Sequence, residues 1–554
     1  MLIDARTLPA GTLVEADVCV IGTGAAGTSA AHALQHAGRD VVLLEGGGLR
    51  FERAAQDTYR GVLDANSQHD ALELVRQKRL GGTTTQWGGR CAPLDELDFE
   101  RRPHVEHSGW PISRDDLLPH YRRAHEYCRL GAFEYDQRQA LPATGPLVLD
   151  GATSEQISDT KLWRWSPPVD FWRAYRRQFA ASQSLRLLHH ANVTRLVRAE
   201  GGGAVERAVV ATAPGRHLTV RARVFVLAAG GLETARLLLA SGDATTAGIG
   251  DEHGLVGRHY MIHPVAEIGR VRFVTPVPAH ARGYERTRDG VWSRRMLWVT
   301  PGTQRELGLR NTAFAFWFPD PADPAHGDPL LSAFSLVRMT MARTGLDWKS
   351  QGVHRRYGAN AAVGGHVANV ARGLPQVARF ARRWAADRWL SEREVPSFMT
   401  AGSGGHVRLR FDAEQSPEPQ NRAVLTRQTD AFGVPRLAVR HRVSATDRDS
   451  IARAFAVVRA ELVRLGAAQV EGPPVDDELA DLRLGDGTHQ MGLTRMADSP
   501  RRGVVDRDCR IHSAPNVYVA SSAVFPTGGC VGPTLTTVAL ALRLSDHILA
   551  QARP

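Results

Sequence analysis

Ten residues near the start constrain the fold of this chain more than any others: Val18-Cys19-Val20-Ile21-Gly22-Thr23-Gly24-Ala25-Ala26-Gly27. Residues 17–21 are mostly apolar and β-branched, and residues 25–37 are small and helix-favouring. Gly38 stops the helix, and residues 41–44 read as the next strand. A strand that turns this tightly into a helix needs each glycine for its own reason. Gly22 permits the turn, Gly24 lets backbone approach a pyrophosphate, and Gly27 lets the helix pack on the strand. Ala25 and Ala26 begin a helix whose N–H groups and positive dipole end suit phosphates. Glu45, after the second strand, is placed to hydrogen-bond a ribose. A glycine pattern alone is weak in a chain with 53 glycines. Here strand, helix and acid all flank it, so it reads as a dinucleotide site, for NAD or FAD alike.

Two more apolar strands fit the same scheme. Residues 224–228 end in Ala229-Gly230-Gly231 and lead into a helix at 233–239. Residues 517–520 precede a turn and a last helix at about 534–550. Short strands alternating with helices predict a mostly parallel sheet covered on both faces, a Rossmann-like α/β domain. Between about 265 and 475 the β-prone runs are longer, as at 312–318 and 407–411, and Asp320-Pro321-Ala322-Asp323-Pro324 reads as a loop. This predicts a second, α+β domain on a mostly antiparallel sheet, inserted into the first. Residues 1–130, 187–265 and 476–554 are assigned to the nucleotide domain, and 131–186 and 266–475 to the inserted one. Val367, Val370, Leu374, Val377, Phe380 and Trp384 fall at helical spacing with arginines between them. They predict a surface helix with its apolar stripe on the core, the alternative being an interfacial helix against a membrane or subunit. Pro375 argues against one long straight helix.

A chain of 554 residues has ample length for such a core. Its five cysteines lack CxxC spacing and read as reduced thiols, without zinc or a disulfide framework. The first residues show no export signal, so a cytoplasmic protein is expected. The longest uncharged stretch, 513–542, is interrupted by Pro515, Pro526 and Pro533 and is expected to be buried rather than to span a membrane. The net charge of +11 comes mainly from arginine spread along the chain. It reads as a solvated surface, with no nucleic-acid module. The histidines and acids lack metal-ligand spacing, and there is no G-x-S-x-G elbow of a serine hydrolase.

Segments beyond the first turn choose the cofactor. Arg79-Leu80-Gly81-Gly82-Thr83-Thr84-Thr85-Gln86-Trp87-Gly88-Gly89-Arg90 is a glycine- and threonine-rich loop able to lay backbone donors along a phosphate chain or flavin ring. Near the end stand His489-Gln490-Met491-Gly492-Leu493-Thr494-Arg495-Met496 and Pro526-Thr527-Gly528-Gly529. With residues 226–234, Val256-Gly257-Arg258 and 533–536, these segments resemble, in order and content, the glucose–methanol–choline (GMC) oxidoreductases, which bind FAD and mostly oxidise alcohols. Trp110-Pro111-Ile112-Ser113 is similar to the branch with pyranose oxidases and bacterial sugar and polyol dehydrogenases.

The resemblance implies cofactor contacts at Gly22, Gly24, Ala25, Ala26, Gly27, Glu45, Arg79, Gly81, Gly82, Thr83, Thr84, Gln86, Trp87, Gly88 and Gly89. It implies further contacts at Val193, Ala229, Gly230, Ser522, Pro533 and Thr534. It puts His489 on the family's catalytic histidine, with Gln490 and Gly532 beside the substrate. A neutral imidazole suits removal of an alcohol proton near neutral pH while hydride passes to flavin N5. His263, near the domain junction, reads as structural. Two departures stand out. Where the family has His or Asn before the last-motif proline, this chain has Gly532. Another residue or water replaces that side chain, His489 works alone, or the glycine makes room for a bulkier substrate. Where some relatives tether FAD through histidine, it has Gln86, so non-covalent FAD is expected. The leading expectation is FAD-dependent oxidation of an alcohol group on a sugar, aminosugar, polyol or glycoside. Electrons would pass to O2 or a carrier, and an oligomer is possible. The rivals are a lyase on the same fold, an inactive flavin-binding homologue, and a plain NAD-dependent dehydrogenase.

Overall fold

A computed structural model describes residues 1–65, 67–142, 154–167, 169–242, 247–274, 283–344, 362–400, 406–472, 477, 479–480, 482, 484–485 and 487–551. The first sheet is built from β1 (Leu2–Asp4), β2 (Leu13–Ile21), β3 (Val41–Leu44), β4 (Leu185–His189), β5 (Asn192–Arg198), β6 (Val205–Ala213), β7 (Arg216–Leu227) and β8 (Val517–Val519). Its order is β1-β4-β3-β2-β7-β6-β5, with β8 paired to β7 as well. β1, β4, β3, β2, β7 and β8 pair in parallel, whereas β6 runs antiparallel to both β5 and β7. The sheet is therefore mixed rather than purely parallel, because the hairpins at its far edge need no crossover helix.

Register aligns the strands that matter. Ile21 faces Leu44 on one side and Leu227 on the other, and Leu227 also faces Val519. Val20, Leu43, Phe225 and Val519 are buried between helical layers, which is why these strands read as continuous apolar runs. Burying each such large side chain contributes about 1.5–3 kcal/mol. Helices α1 (Ala25–His36), α2 (Phe171–Ala181), α3 (Gly231–Ala240) and α4 (Thr534–Gln551) surround the sheet. In α1 the buried Ala25, Ala26, Ala30 and Ala31 explain the small-residue run, since they let α1 lie close to its neighbours. Within α2, Phe179 reaches the His32 ring of α1 at 6.4 Å, so this helix packs with the first sheet although its sequence position suggested the inserted domain.

The second sheet has six strands, ordered Ala468–Glu471, Val265–Phe273, Val407–Ala413, Thr312–Trp317, Leu297–Val299 and Ile157–Ser158. Every pair is antiparallel. Helix Ala445–Arg464 covers it, placing Phe455 and Val458 against Phe314 and Leu409 in a separate core. The amphipathic stretch is divided near Pro375, which argued against one long straight helix. It forms two helices, Val363–Arg372 and Leu374–Ala385, with Pro375 in the first turn of the second, where a missing N–H costs nothing. No residue of the second helix is fully buried, and Val367 and Leu374 are more than half exposed, whereas the half-buried Trp384 packs against the first core, so the stripe is covered only in part. Among the described residues no helix is long and apolar enough to cross a membrane, and all five cysteines are buried free thiols. One grouping escaped the sequence reading: Asp4, His189 and His190 meet at the sheet edge. There His189 Nδ1 lies 2.8 Å from His190 Nδ1, and Arg6 already occupies both Asp4 oxygens.

Candidate active site

Because β3, β2, β7 and β8 end level with one another, the loops that leave them open on one cleft. This is the carboxyl edge of the parallel strands, where open α/β sheets bind ligands. The cleft has two lobes that share Gly22, Glu45, Tyr59 and Ala229. Of the expected residues, Gly22, Gly24, Ala25, Ala26, Glu45, Gly82, Thr83, Thr84, Trp87, Val193, Ala229, Gly230, Ser522, Pro533 and Thr534 line it, together with His489 and Gln490. Gly27, Arg79, Gly81, Gln86, Gly88, Gly89 and Gly532 are not in its walls.

The three glycines of the first turn have separate surroundings. Gly22 takes φ +109°, and a Cβ there would lie 2.5 Å from the Ala228 carbonyl oxygen. A Cβ on Gly27 would lie 1.9 Å from the Gly22 carbonyl oxygen, so this residue works behind the cleft by letting α1 sit on the turn. A Cβ on Gly24 would meet nothing within 4 Å. Gly24 caps α1 without a side-chain hydrogen bond, leaving the first-turn N–H groups directed to open space. Gly230, at φ +78° before α3, is likewise open, and α4 starts at Thr534 on the same wall. Three helix N-termini thus converge on the cleft and favour negative charge in it.

Thr23, between the first two glycines, ties the pieces together. Its hydroxyl donates to Glu45 Oε2 at 2.6 Å and accepts the Gly81 N–H at 3.2 Å. Gly81 therefore acts from outside the wall, fastening its loop to the first turn. Glu45 also accepts the Gly47 N–H at 3.0 Å. Burial pushes its carboxyl pKa up, against the pull of these donors and of Lys78. The second lobe holds Asn192, whose buried Oδ1 has no hydrogen-bond partner, beside Lys78, whose pKa burial lowers. An orphaned acceptor and an open glycine cradle suit the adenine and phosphate portions of a dinucleotide. Arg79 instead turns its guanidinium to the Leu49 carbonyl at 3.4 Å, and Arg76, paired with Glu233 at 2.9 Å, lines the cleft in its place. The sequence signal for this was the cation run Arg76, Lys78, Arg79, which does not say which member faces inward.

At the first lobe's far end, His489 and His263 form a pair. Their Nδ1 atoms lie 2.7 Å apart, with the rings edge to face, and His263 Nε2 lies 3.2 Å from the Gly528 carbonyl oxygen. The hydrogen-bond pattern assigns the tautomers. A carbonyl only accepts, so His263 donates from Nε2. His263 is buried, which lowers its pKa and keeps it neutral, even with the Asp412 carboxylate nearby. Its Nδ1 must then accept from His489 Nδ1–H, which leaves the His489 lone pair on Nε2. Burial works against the Asp412 carboxylate, but Arg90 and Arg410 hold its pKa well below the ordinary range. Gly532 is beside the pair, since a Cβ there would lie 3.9 Å from His489 Nε2 and 3.2 Å from the Arg90 carbonyl oxygen. His263, read from sequence as structural, thus hydrogen-bonds directly to His489 across 226 residues of chain.

Comparison with known proteins gives the family and the fold. Residues 17–323 match the family described as FAD dependent oxidoreductase, and residues 417–541 match GMC oxidoreductase. The fructose dehydrogenase large subunit of Gluconobacter japonicus is 25% identical over 611 residues, covering 97% of this chain and 98% of the relative. A C-glycoside 3-oxidase of Microbacterium trichothecenolyticum is 39% identical over 121 residues, 22% of each chain. The crystal structure of pyridoxine 4-oxidase from Mesorbium loti superposes with a TM-score of 0.52 at 17% identity, covering 97% of this chain and all of that one, a likeness of fold.

Proposed function

Because this chain belongs to the FAD-dependent oxidoreductases and ends in a GMC oxidoreductase region, we propose that it oxidises an alcohol group of a sugar, aminosugar, polyol or glycoside to a carbonyl, with His489 as the proton acceptor. The observation that carries this reading is the His489–His263–Gly528 chain of hydrogen bonds at the end of a glycine-walled cleft.

FAD, when bound, supplies the hydride acceptor. The protein's part is to prepare the alcohol. The Gly528 carbonyl fixes His263, His263 fixes His489, and the basic Nε2 of His489 faces the side where substrate can stand next to Gly532. When Nε2 takes the hydroxyl proton, the Nδ1–H···Nδ1 bond becomes charge-assisted and strengthens. The Asp412 carboxylate near His263 offsets the charge that develops. Gly532 offers the substrate no side chain, and we read the resulting space as admitting a ring-sized or branched polyol. The substrates named for the fructose and C-glycoside relatives agree with that lean. FAD is held without a covalent bond in this reading. Gln86, which takes the place of the tethering histidine, cannot form one and stands outside the cleft wall.

The test is anaerobic mixing of the purified protein with sugars, aminosugars, polyols and simple alcohols while the flavin bands are followed. Bleaching by a polyhydroxylated substrate is expected, and admitting oxygen afterwards separates an oxidase from a dehydrogenase. Carbonyl release without bleaching would replace the proposal with a lyase. An oxidised flavin that no alcohol in the series reduces would favour an inactive homologue.

A further inference from the structure

A second cavity, of about 880 Å³, opens between the 101–111 loop, the 253–259 turn and the segment after His489. Its walls carry Arg101, Arg258, Arg495, Arg501 and Arg502, and none of the five has a carboxylate partner among the described residues. This is unusual for a chain in which so many arginines are paired. Arg102, on the same wall, is one of those already paired, with Glu414. Among the described residues of its lining, the acids are Glu106 and Asp498, both exposed to solvent.

Arg495 is the most informative member. It is only 6% exposed, donates to the His107 carbonyl through Nη2, and buries its Nε without any partner. Burial and the nearby Arg502 push its pKa down to about 10. A buried, still-cationic side chain facing more cations is costly unless a counter-charge arrives from outside. His259 and His107 add no carboxylate; their rings pack edge to face at 4.9 Å, and His259 Nδ1 donates to the Pro417 carbonyl. The planar guanidinium fork matches phosphate oxygens in pairs. The cavity volume falls in the range of small-molecule sites rather than that of a single ion.

We infer that this cavity binds a small molecule carrying two or more phosphate charges, at a site separate from the FAD cleft. The segment from 488 to 498 runs between the two, lining the cleft at Thr488, His489 and Gln490 and the cavity from Arg495 to Asp498. The inference does not depend on the alcohol-oxidation reading.

The test is titration of FAD-saturated protein with inorganic pyrophosphate at constant ionic strength, followed by calorimetry. FAD saturation keeps the probe out of the cofactor's own phosphate site. Saturable one-to-one binding is expected, weakened about tenfold or more in each of Arg258→Gln and Arg502→Gln. Both side chains are solvent-accessible enough for the variants to fold, and flavin absorbance and melting temperature check that they do. An absence of saturation would overturn the inference. So would equal affinity in the variants, an equal response to sulfate at matched ionic strength, or capture by phosphatidylglycerol vesicles in place of pyrophosphate binding.

Discussion

The two cavities at the ends of residues 488–498 attract negative charge by opposite means. The cleft proposed for FAD does so chiefly with backbone, through the N-termini of α1, α3 and α4, an uncapped Gly24 and an open Gly230, since its lining Arg76 is already paired with Glu233. At its far end stands the hydrogen-bonded His489–His263 pair, in which burial lowers the pKa of His263. The other cavity relies on side-chain charge, from five arginines that have no carboxylate partner among the described residues. Backbone dipoles are fixed by the fold and need no counter-ion. Guanidinium groups bring full charge, mutual repulsion and sensitivity to salt.

The sharpest way to break this contrast is at the histidines. His489→Ala is expected to retain FAD, because the glycine turn, Glu45 and the helix N-termini are untouched, while flavin reduction by substrate slows about 10²- to 10⁴-fold. Loss of bound FAD in that variant would mean that the His489 side chain itself helps to hold the cofactor. His263→Ala should slow reduction about 10- to 100-fold, less than removal of the base itself. His263→Asn, whose amide oxygen can still accept from His489 Nδ1–H, should recover part of that loss. Equal rates in the two variants would reduce His263 to packing.

Neutral buried histidines also have a thermodynamic signature. Burial drives His441 and His259 to about 3 and His125 to about 4, and lowers His263 as well. The unfolded chain, with histidine near its ordinary value of 6.5, binds more protons than the folded one below that pH. Stability is therefore full above about pH 6.5 and declines as the pH falls, by about 2 kcal/mol for each strongly shifted histidine at pH 5. Melting temperature measured from pH 7.5 to 5 should fall steadily. A flat profile would show that these side chains are charged in the native state.

Two glycine substitutions separate folding from binding. Gly27→Val overpacks against the Gly22 carbonyl and should lower apoprotein stability by about 1–3 kcal/mol or more. Gly24→Ala has room for its methyl group, so the apoprotein should melt as before while FAD affinity, measured by fluorescence titration, drops about tenfold. The smallest effect is expected at the substrate side. Gly532→Asn needs a shift of a few tenths of an ångström from the Arg90 carbonyl. It should raise KM for ring-sized substrates about threefold with little change for short alcohols, about 0.6 kcal/mol of lost fit. A uniform change across substrates would discount the space at Gly532 as a source of selectivity.

Much of the cofactor cleft was readable because its parts are local. The spacing of Gly22, Gly24 and Gly27, the strand before them and Glu45 after them lie within thirty residues, and backbone geometry obliges them to form one turn. The second α/β junction at Ala229-Gly230 and the last helix from Thr534 were readable for the same reason. Where Arg79 and Arg76 point was not readable, because a run of cations does not reveal which side chain the loop turns inward. How much of the stripe from Val367 to Trp384 is covered was not readable, because helical spacing marks a face without saying what packs on it.

By itself, then, the sequence determined the strand–turn–helix elements, the choice of glycine at each close approach, and the histidine-bearing motif near the end. Those are matters of local sterics and hydrogen bonding, settled within a few residues. Tertiary structure alone decided that His263 would fix the tautomer of His489, that Thr23 would bind Glu45 and Gly81 together, and that five arginines scattered from 101 to 502 would share one cavity. These contacts join residues tens to hundreds apart in the chain. No periodicity encodes them, because only the packing of whole layers brings such side chains within a hydrogen bond or a Debye length of one another.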